Sequence, residues 1–360
     1  MTAVTAESVK ALLASVIDPH TGFDVVTGGS VRGVGVDANS VSVDVCLGYP
    51  ALQWPAELAA TMQSTLEADP GIAHASIGIR CTVQRHQVQE GLKPLAGVKN
   101  IIAVGSGKGG VGKSTVAANL ALALQAEGAK VGVLDGDIYG PSQPRMLGAA
   151  GKPESPDGKR IIPHRVHGLQ MMSIGLLVED DTPMIWRGPM ATQALQQLLN
   201  SIWDDLDYLI LDLPPGTGDI QLTLAQKIPV AGAIIVTTPQ DISLLDARKA
   251  LRMFEKVNIP VLGVIENMAN HVCSKCGHEE AIFGSGGGQA MSDQYHVPLL
   301  GQLPLDIAIR SHADGGTPIV SALPDSAIAQ RYREIARNVA GRLSQRPRNK
   351  AMSLPNLVVE

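Results

Sequence analysis

Three groups of residues in this 360-residue chain have types and spacings that can do chemistry. The first is Gly107-Lys108-Gly109-Gly110-Val111-Gly112-Lys113-Ser114, which fits G-x-x-x-x-G-K-[ST]. It follows the apolar run NIIAVGS and precedes STVAANLALALQAEG, the strand-loop-helix setting that the pattern requires. Glycines let the backbone curl until successive N–H groups face a polyphosphate, and the helix N-terminus adds its positive dipole end. Lys113 is then expected on the β and γ phosphates and the Ser114 hydroxyl on Mg2+. The metal side needs an acid, and YLILDLPPGTGD delivers Asp212 at the end of an apolar strand, where α/β ligand sites lie. Asp212 is expected to hold Mg2+ through water, with the Gly216 amide sensing the γ phosphate. Asp135 and Asp137 end VGVLDGD; alternate residues share a side, so both are expected at the same mouth. Asp137 is the candidate to orient the attacking water, against the cap or turn role that loop Asp often fills.

The third group is HVCSKCGH, with Cys273 and Cys276 three positions apart and His271 and His278 outside them. C-x-x-C spacing lets two sulfurs converge on one metal centre, and thiolates suit both Zn2+ and iron–sulfur clusters. Two ligands fill half of a four-thiolate site, whereas a symmetric pair of chains supplies four. Other readings stand beside that one. The histidines can join the cysteines as a mononuclear zinc site, which requires a sharp bend at Gly277. A redox dithiol prefers a helix N-terminus, but this pair follows a strand and Asn267. The histidines, with Glu279 and Glu280, can equally form a solvated rim.

Elements must carry these groups. Apolar strands at NIIAVGS, KVGVLDGD, LQMMSIG, YLILDLPP, GAIIVTT and VLGVIEN alternate with helical stretches such as LLDARKALRMFEKV. Continuous apolar strands imply burial on both faces, and alternation with helices implies a mostly parallel, doubly wound α/β sheet over residues 98–343. Residues 1–90 read as a small α+β unit. Its helix runs over 7–17, SVRGVGVD and SVSVDVCLG form a hairpin, and a helix over Pro55–Asp69 precedes a strand at ASIGIRCTV. Cys46 and Cys81 read there as structural thiols. Residues 91–97, with Pro94 and Gly97, read as a linker, and 344–360 as a loose tail.

Thirty-four acids against 29 bases give a net charge of −5, which argues against nucleic acid and membrane surfaces as partners. Neither a signal-peptide pattern nor an apolar run long enough to span a membrane is evident. Only four cysteines are present, and a cytoplasmic protein is expected.

Lys108 is not demanded by the basic loop pattern. G-K-G-G-V-G-K-S-T resembles the deviant Walker A loop of the MinD/ParA/nitrogenase-reductase class of ATPases. The resemblance implies that Lys108 crosses a homodimer interface to the neighbour's nucleotide, against the reading of a solvated lysine. It also implies that Asn267 contacts the adenine, although capping the next turn would suit it too. SGKGGVGKST, LDGDIYGPS, MIWRGPM, LDLPPGTGD, GVIENM, the CSKC pair and GQLPLDIAIR before DGGTPIV together resemble Mrp/ApbC-type iron–sulfur cluster carriers. That resemblance implies a slow ATP hydrolase, with ATP bound by Gly107–Thr115. It further implies a 4Fe–4S cluster bridged by Cys273 and Cys276 of two chains and handed to apoproteins. A zinc-binding or cluster-free positioning or scaffold ATPase of the MinD/ParA class is the alternative. VIDPHTGFDVV and the front unit resemble the DUF59/MIP18-like domain, but Leu52 stands where that module's cysteine falls.

Overall fold

The computed structural model describes residues 4–156, 158, 160–177, 188–273 and 275–349. Of the motifs above, Met184 to Arg187 of MIWRGPM, Ser274 of CSKC and the final residues from 350 lie outside the described residues.

The front unit opens with Thr5, whose hydroxyl accepts from Ser8 N and caps the helix Ala6–Leu13. That helix is shorter than expected. Ile17–Asp18 instead pairs antiparallel with Phe23–Asp24, because Pro19 disfavours helix at Asp18. The Asp18 carboxylate is also drawn inward, accepting from His20 N and Tyr49 Oη. Val31–Asp37 and Ser40–Leu47 form the expected hairpin, and His74–Cys81 adds in parallel across the helix Trp54–Glu67. Val41, Val43, Val45 and Leu47 alternate inward, the period-two pattern of a half-covered sheet.

The remainder builds one eight-stranded sheet. Its order is Leu299–Gln302, Val261–Glu266, Gly232–Thr237, Val98–Gly105, Leu206–Asp212, Val131–Asp135, Leu169–Ser173 and His164–Val166. All neighbours are parallel except the last pair. The six inner strands are the apolar runs named above; the two edge strands, short and more polar, escaped the pattern. Asp212 is level with Val104 on one side and Asp135 on the other. The glycine-rich loop and both acids therefore emerge at the same C-terminal rim, where open α/β sheets bind ligands. No helix among the described residues is long and apolar enough to cross a membrane.

The front unit packs firmly onto the larger one. Glu127, at the far end of the helix Lys113–Ala126, is buried. It accepts from Arg333 Nε at 2.8 Å, Arg337 Nη1 at 2.7 Å and the front unit's Leu52 N at 2.9 Å. His20 Nδ1 lies 2.8 Å from Asn338 Oδ1 on the same closing helix, Ala327–Ser344. Val9, Leu47 and Leu58 share one continuous apolar cluster with Leu120, Leu124, Val339 and Leu343. The closing helix thus buries its apolar stripe rather than offering it to a surface. Residues 345–349, expected in the tail, are held against 85–87: Gln87 N donates to Pro347 O and Asn349 N to Arg85 O.

Candidate functional site

The strand Val98–Gly105 hands the chain to the loop, and Gly112 starts the next helix in the left-handed region, at φ +81°. A Cβ on Gly112 would also sit 2.3 Å from Asn267 Nδ2. Gly109 and Gly110 face open space. With Lys108, Val111, Lys113, Ser114, Thr115 and Asp137 they line a cleft of about 240 Å³. This is a cradle of backbone amides at a helix N-terminus, the geometry that receives phosphate groups.

Lys113 is 6% exposed and its ammonium is ion-paired with the fully buried Asp212; Nζ also donates to Ser114 Oγ at 3.1 Å. The lysine ammonium thus lies between Asp212 and the start of the helix. The other Asp212 oxygen accepts from Gln143 Nε2 at 2.9 Å, and the same Nε2 reaches Ser114 O at 3.0 Å. Gln143 was not among the sequence candidates. It lies on the short helix Gln143–Met146, and nothing in local periodicity links it to a residue 69 positions away.

The two acids after Val131–Asp135 part company. Asp135 is buried and organises the turn, accepting from Asp137 N, Ser142 N, Gln143 N and Ser173 Oγ. Burial, and then the negative charge of Asp212, push its carboxyl up to about 7. Asp137 alone of the pair lines the cleft. Burial raises its carboxyl above the usual range, with Lys113 opposing that shift. Of the two residues expected at one mouth, Asp137 lines the cleft and Asp135 turns inward.

Gly216 N donates to Ser106 O at 3.0 Å, so the amide expected to sense a γ phosphate is occupied within the loop. Asn267 Nδ2 donates to Val111 O at 2.9 Å, which ties the end of Val261–Glu266 to the phosphate loop. Lys108 is half-buried at the cleft and no carboxylate among the described residues pairs with it.

Cys273 and Cys276 do not line the cleft. They sit at the tip of a small hairpin in which His271–Val272 pairs with Glu279–Glu280. Cys273 N donates to His278 O and Gly277 N to Cys273 O; Gly277, at φ +72°, makes the bend. The backbone N–H groups of Lys275 and Cys276 point at the Cys273 sulfur, followed by the Cys276 side chain, and hold its thiol below the usual range. Charge-assisted bonds to sulfur favour the thiolate, the metal-binding form. His271 Nδ1 is engaged with Leu305 O at 2.9 Å. Among the described residues no three His, Cys, Asp or Glu side chains gather to hold a metal ion. Among the described residues, one chain thus presents two sulfurs with no third such side chain gathered beside them.

The family described as NUBPL iron-transfer P-loop NTPase matches residues 97–340, and an iron–sulfur cluster assembly protein family matches residues 6–78. An iron–sulfur cluster carrier protein of Salmonella typhimurium is 61% identical over 264 residues, covering 73% of this chain and 71% of that one. One from Synechocystis is 42% identical over 347 residues, 95% of this chain and 98% of its own, so the likeness includes the front unit. Among solved structures, a nucleotide-binding protein of Archaeoglobus fulgidus in complex with ADP superposes with a TM-score of 0.55. It is 38% identical and covers 61% of this chain and 87% of its own. With the glycine-rich cradle, the buried lysine–aspartate pair and the thiol hairpin all inside the matched span, this chain belongs to the NUBPL iron-transfer P-loop NTPase family.

Proposed function

We propose that the protein is an ATP-hydrolysing carrier that holds a 4Fe–4S cluster between two copies of itself and passes it to apoproteins in the cytoplasm. The observation that carries this reading is the hairpin. It has a thiolate favoured by backbone N–H groups, a second thiol beside it, and no third ligand among the described residues of the same chain. Two copies would complete a four-thiolate set around a two-fold axis. A bridge shared between chains releases its cargo when the halves separate.

The donor set at the cleft fits Mg2+, a hard ion that takes oxygen ligands. Ser114 Oγ and the Asp212 carboxylate would hold it, Asp212 through water. When bound, the ion neutralises charge developing on the β and γ phosphates. The polyphosphate would lie along the amides of Gly107 to Thr115 and compete with Asp212 for Lys113, releasing the acid to the metal side. Asp137 would orient the attacking water. The Gly216 amide would exchange Ser106 O for a γ-phosphate oxygen, and Asn267 would keep its grip on Val111 while its amide oxygen meets the adenine amino group. Lys108, without a carboxylate of its own, would reach the partner's nucleotide.

Anaerobic reconstitution with iron and sulfide tests the cargo. The parent should turn brown and dimeric, with about four iron atoms per two chains, and Cys273→Ala should stay colourless. A colourless parent that holds zinc would refute the cluster. For the engine, Lys113→Ala should abolish ATP turnover. Lys108→Ala should recover turnover when mixed with a subunit disabled at Asp137; absence of rescue would refute action in trans.

A further inference from the structure

Gln143 is a polar side chain at the site whose presence the reading above does not explain. It is fully buried. Its amide nitrogen is satisfied twice, by Asp212 Oδ2 at 2.9 Å and Ser114 O at 3.0 Å. Its amide oxygen has no hydrogen-bond partner among the described residues although it is buried. A buried acceptor left unmade is unfavourable, and such orphans in native proteins point to a missing water or ion. The amide cannot be turned round to cure this, because its oxygen would then face a carboxylate and a carbonyl. The backbone beneath is fixed as well, since Gln143 N donates to Asp135 Oδ2 at 3.1 Å. Gln143 also begins the short helix that closes the segment bearing Asp137 and Ser142, both of which line the cleft.

The neighbours of the amide nitrogen place this side chain beside the residues read as the metal side. Its own nitrogen touches the carboxylate that faces the metal side and the residue whose hydroxyl would ligate the ion. A buried acceptor on the same amide suits a water of a hydrated divalent cation, because Mg2+ keeps several of its waters when bound. We propose that Gln143 is a positioning residue for the Mg2+ side. Its amide nitrogen fixes the Asp212 carboxylate, and its amide oxygen accepts from a water in the ion's outer shell. It thereby ties the Asp137 segment to the presence of the metal. This rests on the reading of Ser114 and Asp212 as the Mg2+ residues, and outer-shell partners of this kind tune affinity by tens of fold.

The test is metal affinity rather than turnover. The full-length protein is loaded with ADP, and free Mn2+, standing in for Mg2+, is followed by electron paramagnetic resonance through a titration. ADP affinity is measured in parallel with chelator present. Gln143→Leu, which keeps the volume and removes both polar atoms, should weaken Mn2+ binding to the ADP complex about tenfold. Its metal-free ADP affinity should be unchanged. Gln143→Asn, which withdraws the amide by one methylene, should do the same, and it serves if the leucine variant does not fold. Mn2+ affinity equal to the parent's in either folded variant overturns the proposal. Equal losses of ADP affinity with and without metal would also overturn it, since that is the signature of a merely structural tie. A parent whose ADP complex takes up no Mn2+ would instead refute the underlying metal site.

Discussion

Two alanines in one loop should have opposite consequences. At Gly112 the backbone is left-handed and a Cβ would sit 2.3 Å from Asn267 Nδ2. Holding a non-glycine residue in that region costs about 1–2 kcal/mol. Asn267 must also retreat from Val111 O, forfeiting a hydrogen bond of about 1 kcal/mol. Together these predict a loss of about 2–3 kcal/mol for Gly112→Ala, a Tm lower by about 3–4 °C in a chain of this length. At Gly109 φ is ordinary and a Cβ meets nothing within 4 Å, so Gly109→Ala should melt with the parent. That open space is the phosphate cleft itself, however, and close backbone approach to phosphate is what glycine permits. Gly109→Ala should therefore bind ADP more weakly while remaining fully stable. Differential scanning calorimetry paired with a fluorescent ADP titration reads both quantities. A Gly112→Ala protein that melts with the parent, or a Gly109→Ala protein less stable than it, would refute the account of the loop.

The remaining expectations concern charge. Glu127→Ala leaves Arg333 and Arg337, only 11% and 16% exposed, without their carboxylate. It should cost about 3–5 kcal/mol in urea unfolding, and a loss under about 1 kcal/mol would show that the clamp is solvated. His20 is held neutral chiefly by burial, with Arg337 adding to that and Asn338, Asp18 and Glu334 opposing it. Its folded pKa lies below its unfolded value, so its contribution is present above about pH 6.5 and is lost as the pH falls below it. Asp135, its carboxyl raised to about 7, contributes the opposite slope, so the test is a difference. From pH 7.5 to 5.5 the parent's urea midpoint should fall relative to that of His20→Asn, and parallel curves would dismiss His20 as a contributor. In the metal-free protein at pH 7, iodoacetamide should label Cys273 first, ahead of the more exposed Cys276 and of Cys81, whose thiol burial pushes up. Mass spectrometry that found Cys81 leading would contradict the thiolate assignment.

Much of this site is local chemistry and was readable as such. The glycine-rich loop, Asp212 at a strand end and the C-x-x-C pair each announce themselves within a dozen residues, and continuous apolar runs announce the inner strands. What escaped is non-local. Gln143 looks like any loop residue until the fold sets it against Asp212, and Glu127 looks like a helix end until two arginines some 200 positions later arrive. Short edge strands such as His164–Val166 carry too few residues for a period to show. Apolar patterning extended the first helix to residue 17, because pattern alone does not weigh the pull of Asp18 toward Tyr49. Gly97 read as a linker residue, yet a Cβ there would strike Trp203 O at 2.2 Å, so it marks close packing rather than slack.

Cys273 comes six positions after Asn267, a reach of at most about 22 Å when fully extended. The amide that holds Val111 and the sulfurs that would hold cargo therefore belong to one short arm. It is braced midway, where Ala269 N donates to Leu303 O and Leu305 N donates to Asn270 O. Thermodynamic linkage has no preferred direction along such an arm. If nucleotide alters the grip on cargo by some factor, cargo alters the grip on nucleotide by that same factor, and a loaded carrier would regulate its own engine.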